Sequence, residues 1–144
     1  MTDTMTETTA AVPASLVERF YTALAEGRLT AEQCIECGAL IFPPTGCCDA
    51  CGSFTTTGIT LSGRGTMLFA SHNVAPACHP RFNPYAPYIY AQVRLEEGIY
   101  TSGMLLGVAG TPEEAERLYE AGPAEVTFEV LRTEDLPVVA FRLV

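Results

Sequence analysis

The amino-acid sequence predicts a mainly β fold: an N-terminal helix, then a cysteine-rich module, then a small closed barrel of the OB type that carries one short helix. The first helical pattern, at the N-terminal side of the cysteines, ends at Gly27. Five of the six cysteines fall between Cys34 and Cys51. From Phe54 onward the chain consists of β-branched, alternating segments broken by Gly, Pro and Asn, which is typical of short strands. An open sheet or a sandwich would also accommodate these strands.

The N-terminal segment and the lengths of the apolar runs predict the cellular compartment of the protein. Residues 1–14 are polar and lack a basic stretch followed by an apolar one, so they predict a flexible tail rather than a secretory signal. No apolar run approaches the roughly 20 residues that span a bilayer. We therefore expect a cytoplasmic protein whose thiols are kept reduced, a setting in which structural disulfides are rare.

Residues 15–33 are predicted to form the N-terminal helix and a lead-in strand. Ser15 and Glu18 have the spacing of a capping box, and apolar side chains repeat at every fourth position from Leu16. Gly27 supplies a C-terminal stop. The apolar stripe is broad, so this helix packs on its own domain or offers a surface to a partner.

Residues 34–55 are predicted to form a metal-binding ribbon, because the pattern C-x-x-C-G occurs twice. The paired cysteines are Cys34 with Cys37 and Cys48 with Cys51. In a metal knuckle, two thiolates converge, backbone N–H groups point at the sulfurs, and the residue after the second cysteine often takes a positive φ that glycine adopts without strain. We expect these four side chains to bind one ion in a tetrahedral array, whereas Cys47 breaks the spacing and is interpreted as a bystander.

Three kinds of site compete for this cysteine block. A disulfide staple is disfavoured by the expected reducing compartment, and a redox-active dithiol needs only one pair. A metal accounts for both pairs, and zinc is favoured over iron, although the spacing alone also suits a rubredoxin-like iron centre. Four thiolates complete a tetrahedral zinc and leave no position for water or substrate, so the ion is expected to be structural.

The charge balance narrows the possible functions. The net charge is −9, and all eight basic residues are arginine. Without lysine there is neither Schiff-base chemistry nor a P-loop lysine, and so acidic a chain is poorly suited to non-specific nucleic-acid binding. No acidic residue lies between Asp49 and Glu96, whereas Arg64, Arg81 and Arg94 do. This segment either faces an anion or is simply poor in charge.

Residues 56–144 are predicted to form the barrel. The expected strands, beginning just before this range, are FTTTGITL, GTMLFASHNV, YIYAQVRLEEGIYTSGMLLGV, AEVTFEVLRT and VVAFRLV. The segment TPEEAERLYEAG predicts the short helix, with Thr111 as N-cap, Pro112 at the first helical position and Gly122 just past the end.

The histidines do not indicate a catalytic site. His72 lies in a predicted strand and is interpreted as a structural residue. Cys78 and His79 are neighbours on an extended segment, so their side chains point to opposite faces and a nucleophile–base pair is not expected. We therefore predict no catalytic residues.

A series of motifs extends over about residues 15–144. In chain order they are GRL, C-x-x-C-G, IFPP, C-x-x-C-G, SGRGT, APYIYAQVRLEEG, GPAEVTFEV and PVVAFRLV. This series resembles the DUF35 family. The resemblance implies a rubredoxin-like zinc ribbon followed by an OB-fold. It also implies an accessory subunit in a hetero-oligomer with a thiolase-superfamily enzyme that acts on acyl-CoA: a thiolase-like acyltransferase, a thiolase or an aldolase. The OB module of such subunits can help to hold the CoA moiety or to shape the acyl pocket.

The segment HNVAPACHPRFNPYAPYIY is predicted to be a long ordered loop. We expect this loop, with Arg64 and Arg81, to face the CoA phosphates or the partner, because arginine pairs with phosphate in a bidentate manner. The alternative function is a zinc ribbon and OB-fold that bind single-stranded nucleic acid. The net charge and the absence of lysine count against that alternative.

Overall fold

The computed structural model describes residues 15–77 and 79–144, so the predicted tail at 1–14 and Cys78 lie outside the described residues. The helices are α1 (Leu16–Ala25), a 3-10 helix (Pro80–Tyr85) and α2 (Pro112–Ala121). The strands are β1 (Thr30–Cys34), β2 (Leu40–Ile41), β3 (Thr56–Thr60), β4 (Arg64–Asn73), β5 (Tyr88–Leu95), β6 (Tyr100–Leu106), β7 (Ala124–Leu131) and β8 (Val138–Leu143). Over these two described stretches, no helix has the length and apolar character needed to cross a membrane.

The ends of the two α-helices have the predicted caps. The hydroxyls of Ser15 and Thr111 each accept a hydrogen bond of 3.1 Å from the backbone N–H group three residues later. These bonds satisfy N–H groups that have no partner within a helix. Gly27 follows α1 and Gly122 follows α2, with φ of 88° and 82°, a conformation in which glycine ends a helix without strain.

The first sheet has three antiparallel strands in the order β2-β1-β3. β3 pairs along the whole of β1, from Thr30 opposite Thr60 to Cys34 opposite Thr56. The segment FTTTGITL therefore forms a strand, but this strand joins the sheet of the cysteine ribbon. The division into a ribbon at 34–55 and a barrel module at 56–144 stays a prediction, and this pairing ties the first strand of the second segment to the ribbon sheet.

The remaining strands close into a barrel in the order β4-β5-β6-β8-β7, with β7 returning to β4. Neighbours are antiparallel except β6 and β8, which are parallel. The long segment YIYAQVRLEEGIYTSGMLLGV supplies two of the five strands, β5 and β6, which meet at a turn containing Gly98. α2 lies between β6 and β7. The predicted mainly β fold with a small closed barrel is confirmed, and the open sheet and the sandwich are excluded.

One apolar core joins α1 and β1 to the barrel. Its buried members include Leu24 of α1, Ala31 of β1 and Phe141 of β8. A separate small cluster consists of Cys34, Ile41 and Cys48. The lead-in strand is therefore anchored in the main core, whereas the cysteine end of the ribbon has only a small apolar cluster of its own.

Candidate metal centre and neighbouring cavities

The two C-x-x-C-G segments have matching backbone hydrogen bonds. In each, the N–H group of the first cysteine, Cys34 or Cys48, donates to the carbonyl five residues later at 2.8 Å. The glycine after each second cysteine donates back to the carbonyl of the first, at 2.9 Å for Gly38 and 2.8 Å for Gly52. Both glycines have a positive φ, 80° and 79°, as predicted. The repeated sequence thus forms a repeated turn.

The four cysteine sulfurs of these turns converge. The Sγ atoms of Cys34 and Cys51 are 3.6 Å apart, and those of Cys37 and Cys48 are 3.5 Å apart. All four sulfurs lie within 4.8 Å of one another. A tetrahedral zinc with Zn–S bonds of about 2.3 Å needs sulfurs about 3.8 Å apart, whereas a disulfide needs about 2.05 Å. The sulfurs therefore form a four-cysteine metal site and not a pair of disulfides.

Backbone hydrogen bonds also affect the protonation of the thiols. The N–H group of Cys37 donates to Cys34 and lowers the pKa of Cys34 to about 6, although burial opposes this change. For Cys51, a backbone hydrogen bond from Ser53 favours the thiolate, but the neighbouring thiols and burial outweigh it and raise the pKa to about 12. Thiolates this close together repel one another, which disfavours several negative charges in the cluster. A bound divalent cation offsets this repulsion.

The cysteine site is also well shielded on one side. Cys34 and Cys48 are each 1 % exposed, whereas Cys37 and Cys51 are exposed. Cys47 is half-buried and is not one of the converging sulfurs; its Sγ lies 3.9 Å from the Gly52 carbonyl oxygen. With four thiolates on one tetrahedral ion, no coordination position is left for a substrate, so this arrangement can support the fold but not metal catalysis.

Arg64 is the first residue of β4, whereas Arg81 lies in the 3-10 helix between β4 and β5, and the two line different cavities. Arg64 is exposed, pairs with Glu96 at 3.0 Å and shares a cavity of about 350 Å³ with Arg94. The guanidinium carbon of Arg81 lies 5.2 Å from the centre of the Phe82 ring. The structure therefore does not bring the two predicted arginines together.

Both histidines have local structural contacts. The Nε2 atom of His72 lies 3.1 Å from the carbonyl oxygen of Gly110, which agrees with the structural interpretation of this residue. The Nδ1 atom of His79 accepts a 3.2 Å hydrogen bond from the backbone N–H group of Arg81 and caps the 3-10 helix. Each ring is thus held by a contact that stabilises a loop or a helix end.

A cleft of about 630 Å³ between α1 and the ribbon sheet contains an acid that the sequence did not single out. Glu32 in β1 is only 9 % exposed and accepts a 2.9 Å hydrogen bond from the Thr56 hydroxyl. Gly58 lies opposite Glu32 on β3, and a Cβ atom there would be 3.2 Å from a carboxylate oxygen of Glu32. Only the pairing of β1 with β3 creates this site, so no local pattern could have revealed it.

Comparisons with known proteins agree with these features. Residues 22–57 match the family zf-ChsH2, described as the ChsH2, rubredoxin-like zinc ribbon domain. A curated relative from Thermomonospora curvata, named probable enoyl-CoA hydratase alpha subunit, is 33 % identical over 121 residues. The match covers 78 % of this chain but 36 % of the relative, so the chain spans about a third of the length of that protein.

Two solved structures share the fold. The first, titled "Ltp2-ChsH2(DUF35) aldolase", is 28 % identical with a TM-score of 0.71, and the match covers 92 % of this chain and 97 % of that chain. The second is a DUF35 protein of unknown function from Sulfolobus solfataricus, 12 % identical with a TM-score of 0.54, covering 99 % and 96 % of the two chains. At this identity the second similarity concerns the fold alone. In its zinc-ribbon match, its four converging cysteines and its barrel, the chain is similar to DUF35 proteins in sequence and fold.

Proposed function

We propose that this protein is a non-catalytic accessory subunit that scaffolds a thiolase-like enzyme acting on acyl-CoA. One observation carries the proposal: the chain is similar over 92 % of its length to a DUF35 chain in a structure titled as an aldolase. The partner would be a thiolase-superfamily acyltransferase, thiolase or aldolase, and the two chains would form a hetero-oligomer.

The proposal assigns one structural zinc ion to this subunit. Its ligands are Cys34, Cys37, Cys48 and Cys51, whose sulfurs have nearly the spacing of a tetrahedral site. When bound, the ion would cross-link the two knuckles. It would not act as a Lewis acid on a substrate, because protein ligands occupy all four coordination positions. The chain would then contribute a fixed surface to the complex.

Within residues 15–77 and 79–144, the contacts of the histidines and of the buried acid suit an accessory role. Among the described residues, the two histidines are engaged in the local contacts given above. The buried acid Glu32 bonds to a threonine hydroxyl, without a histidine or a lysine beside it in the cleft. The chemical step would therefore take place in the partner.

Arg64 and Arg81 remain proposed contacts to CoA phosphates or to the partner, now at two separate places. Arg64 is mainly exposed and shares its cavity with Arg94, but Glu96, which pairs with Arg64, and Glu125 line it too, so a phosphate there would compete with two carboxylates. Because Arg81 lines another cavity, one phosphate group would not bridge both predicted residues.

A tagged pull-down from the native host tests the proposal, with the captured proteins identified by mass spectrometry. We expect a stoichiometric thiolase-superfamily protein that stays bound through size-exclusion chromatography. Recovery of the chain alone would contradict the scaffold role. Retention on heparin at low salt, together with bound nucleic acid, would instead support the single-strand-binding alternative.

A hydratase-type partner is the second candidate. The relative named probable enoyl-CoA hydratase alpha subunit aligns with 78 % of this chain yet is covered only to 36 %, so most of that protein consists of sequence outside the match. A partner for this chain could therefore resemble that remaining sequence. Mass spectrometry of the same pull-down distinguishes the two partners by their sequences.

A further inference from the structure

We infer that a small cavity beside Arg81 is a binding site for a carboxylate carried on a short apolar stem. The inference uses only contacts within this chain and does not depend on a thiolase-like or a hydratase-type partner.

The cavity has a volume of about 130 Å³ and forms where three parts of the molecule meet. α1 contributes Tyr21, the 3-10 helix contributes Arg81 and Phe82, and barrel strands contribute Ser102 and aliphatic side chains at the start of β8. Because these segments are far apart in sequence, the cavity is a product of the tertiary fold.

Arg81 provides the first reason to expect an anion. Its Nε atom is buried and has no hydrogen-bond partner among the described residues. Its guanidinium carbon is 5.2 Å from the Phe82 ring centre, and no carboxylate in residues 15–77 or 79–144 forms an ion pair with it. Buried polar groups normally have a partner, so this donor suits a group that residues 15–77 and 79–144 do not supply.

The cavity is also lined by hydroxyl-bearing side chains, which can donate as well as accept hydrogen bonds. These side chains are Tyr21, Tyr90 and Ser102. The lining residues include no acid. A guanidinium flanked by hydroxyls suits an acceptor-only group with two oxygens, which is the chemistry of a carboxylate.

Size and wall chemistry favour a small anionic group within the cavity. One water occupies roughly 30 Å³ of liquid volume, so the cavity admits a group of only a few non-hydrogen atoms. Drug-sized ligands occupy pockets of about 300–1,000 Å³. The remaining walls are aromatic and aliphatic, which suits a short hydrocarbon stem better than the several exposed oxygens of a diphosphate, so a carboxylate replaces the CoA phosphates as the group proposed at Arg81. The carboxylate could belong to a free short-chain acid or to an Asp or Glu side chain of another protein.

The direct test follows the side-chain Nε–Hε signals of arginine by ¹⁵N-resolved NMR while ligand is added at neutral pH. The first arm uses acetate, propionate and butyrate. The second uses glutamate and aspartate blocked as the N-acetyl and C-methylamide derivatives. Propionamide and sodium chloride are the controls, because they lack the carboxylate or the stem.

We expect a saturable shift of the Arg81 Nε–Hε signal with the carboxylates and none with propionamide. A response to free acids alone would assign the site to a small molecule, whereas an equal response to blocked glutamate or aspartate would assign it to a protein side chain. The inference is overturned if the Arg81 signal moves no more than that of the exposed Arg19, or if chloride moves it equally.

Variants keep the test independent of folding. Arg81→Gln should abolish the saturable response of the cavity residues, while the matched change Arg19→Gln on the exposed side of α1 should preserve it. Tyr21→Phe removes one hydroxyl without altering the ring and should weaken propionate binding several-fold. Unchanged propionate affinity in both Arg81→Gln and Tyr21→Phe would also overturn the inference.

Discussion

The cysteine end of the ribbon and the barrel differ in what can hold them together. The ribbon end has a cluster of three buried residues, two of which are proposed metal ligands. The core shared by α1, β1 and the barrel has fourteen buried residues, reaching from Leu24 to Phe141. The barrel therefore has enough apolar burial to be stable by packing, whereas the ribbon end needs another source of stability.

The difference follows from size. Segments shorter than about 40 residues bury too little apolar surface to fold alone and usually need a metal, a disulfide or a partner. The converging sulfurs supply the metal option at the ribbon. One chain thus combines two folding strategies, and substitutions in the two regions should have separable effects.

The largest effect is expected from Cys48→Ser, which removes a proposed ligand that is 1 % exposed. Structural zinc contributes on the order of 10–16 kcal/mol of apparent binding free energy in small zinc-finger peptides, so the ribbon should lose most of its stability. Metal analysis should find less than one zinc per chain, and amide exchange should become fast at 34–55.

Cys47→Ser is the matched control, because its sulfur lies next to the cluster but outside it. This variant should keep one zinc per chain and native exchange rates. Full zinc content in Cys48→Ser, or loss of zinc in Cys47→Ser, would show that the ligand set is wrong.

Phe141→Ala tests the barrel side of the comparison. Phe141 is fully buried, and its ring lies 6.5 Å from that of Phe128, so truncation leaves a cavity in the main core. We expect a loss of about 3–5 kcal/mol in the free energy of unfolding, measured by urea denaturation. Zinc content should stay at one per chain in the folded variant. A loss below about 1 kcal/mol would contradict the importance of this core.

A pair of glycine substitutions sharpens the comparison. In Gly103→Ala the new Cβ would lie 2.8 Å from the Val139 carbonyl oxygen and 2.9 Å from the Phe141 ring, so we expect a loss of about 1–3 kcal/mol. In Gly58→Ala of the ribbon sheet, the nearest atom is a Glu32 carboxylate oxygen at 3.2 Å, which can move aside. Its effect should stay below about 1 kcal/mol. Equal melting temperatures for the two variants would argue against tight packing between β6 and β8.

The smallest effect concerns the ion pair of α2. The side chain of Arg117 hydrogen-bonds to Glu114 at 2.6 Å and lowers the pKa of Glu114 below its ordinary 4.5. Because the pKa of Glu114 is lowered in the folded state, the pair stabilises the folded protein at pH values above the ordinary pKa. This contribution is lost as the pH falls through the lowered pKa. In Arg117→Gln, NMR titration should give a higher Glu114 pKa, while Arg142→Gln should leave it unchanged. An unaltered Glu114 pKa in Arg117→Gln would refute the assigned cause.

Features with a local cause could be predicted from the sequence. The knuckles depend on cysteines and a glycine within five positions, so Cys34, Gly38, Cys48 and Gly52 form the expected turns. The helix caps at Ser15 and Thr111 depend on residues three apart.

Features that depend on which distant segments meet could not be predicted in the same way. FTTTGITL has a strand pattern, but the pattern does not say that β3 pairs with β1 instead of entering the barrel. For the same reason, the acid-free segment indicated Arg64 and Arg81 as one site, although they lie in β4 and in the 3-10 helix and line different cavities. The cavity beside Arg81 required the meeting of α1, the 3-10 helix and the barrel.

Hydrogen exchange before and after stripping the metal with a strong chelator tests most directly whether the ribbon depends on a metal and the barrel on its core. We expect protection to disappear at 34–55 and the melting transition to change, while β5, β6 and β8 keep their slow exchange. Retained protection in the ribbon of the metal-free protein, with an unchanged thermal melt, would contradict the account.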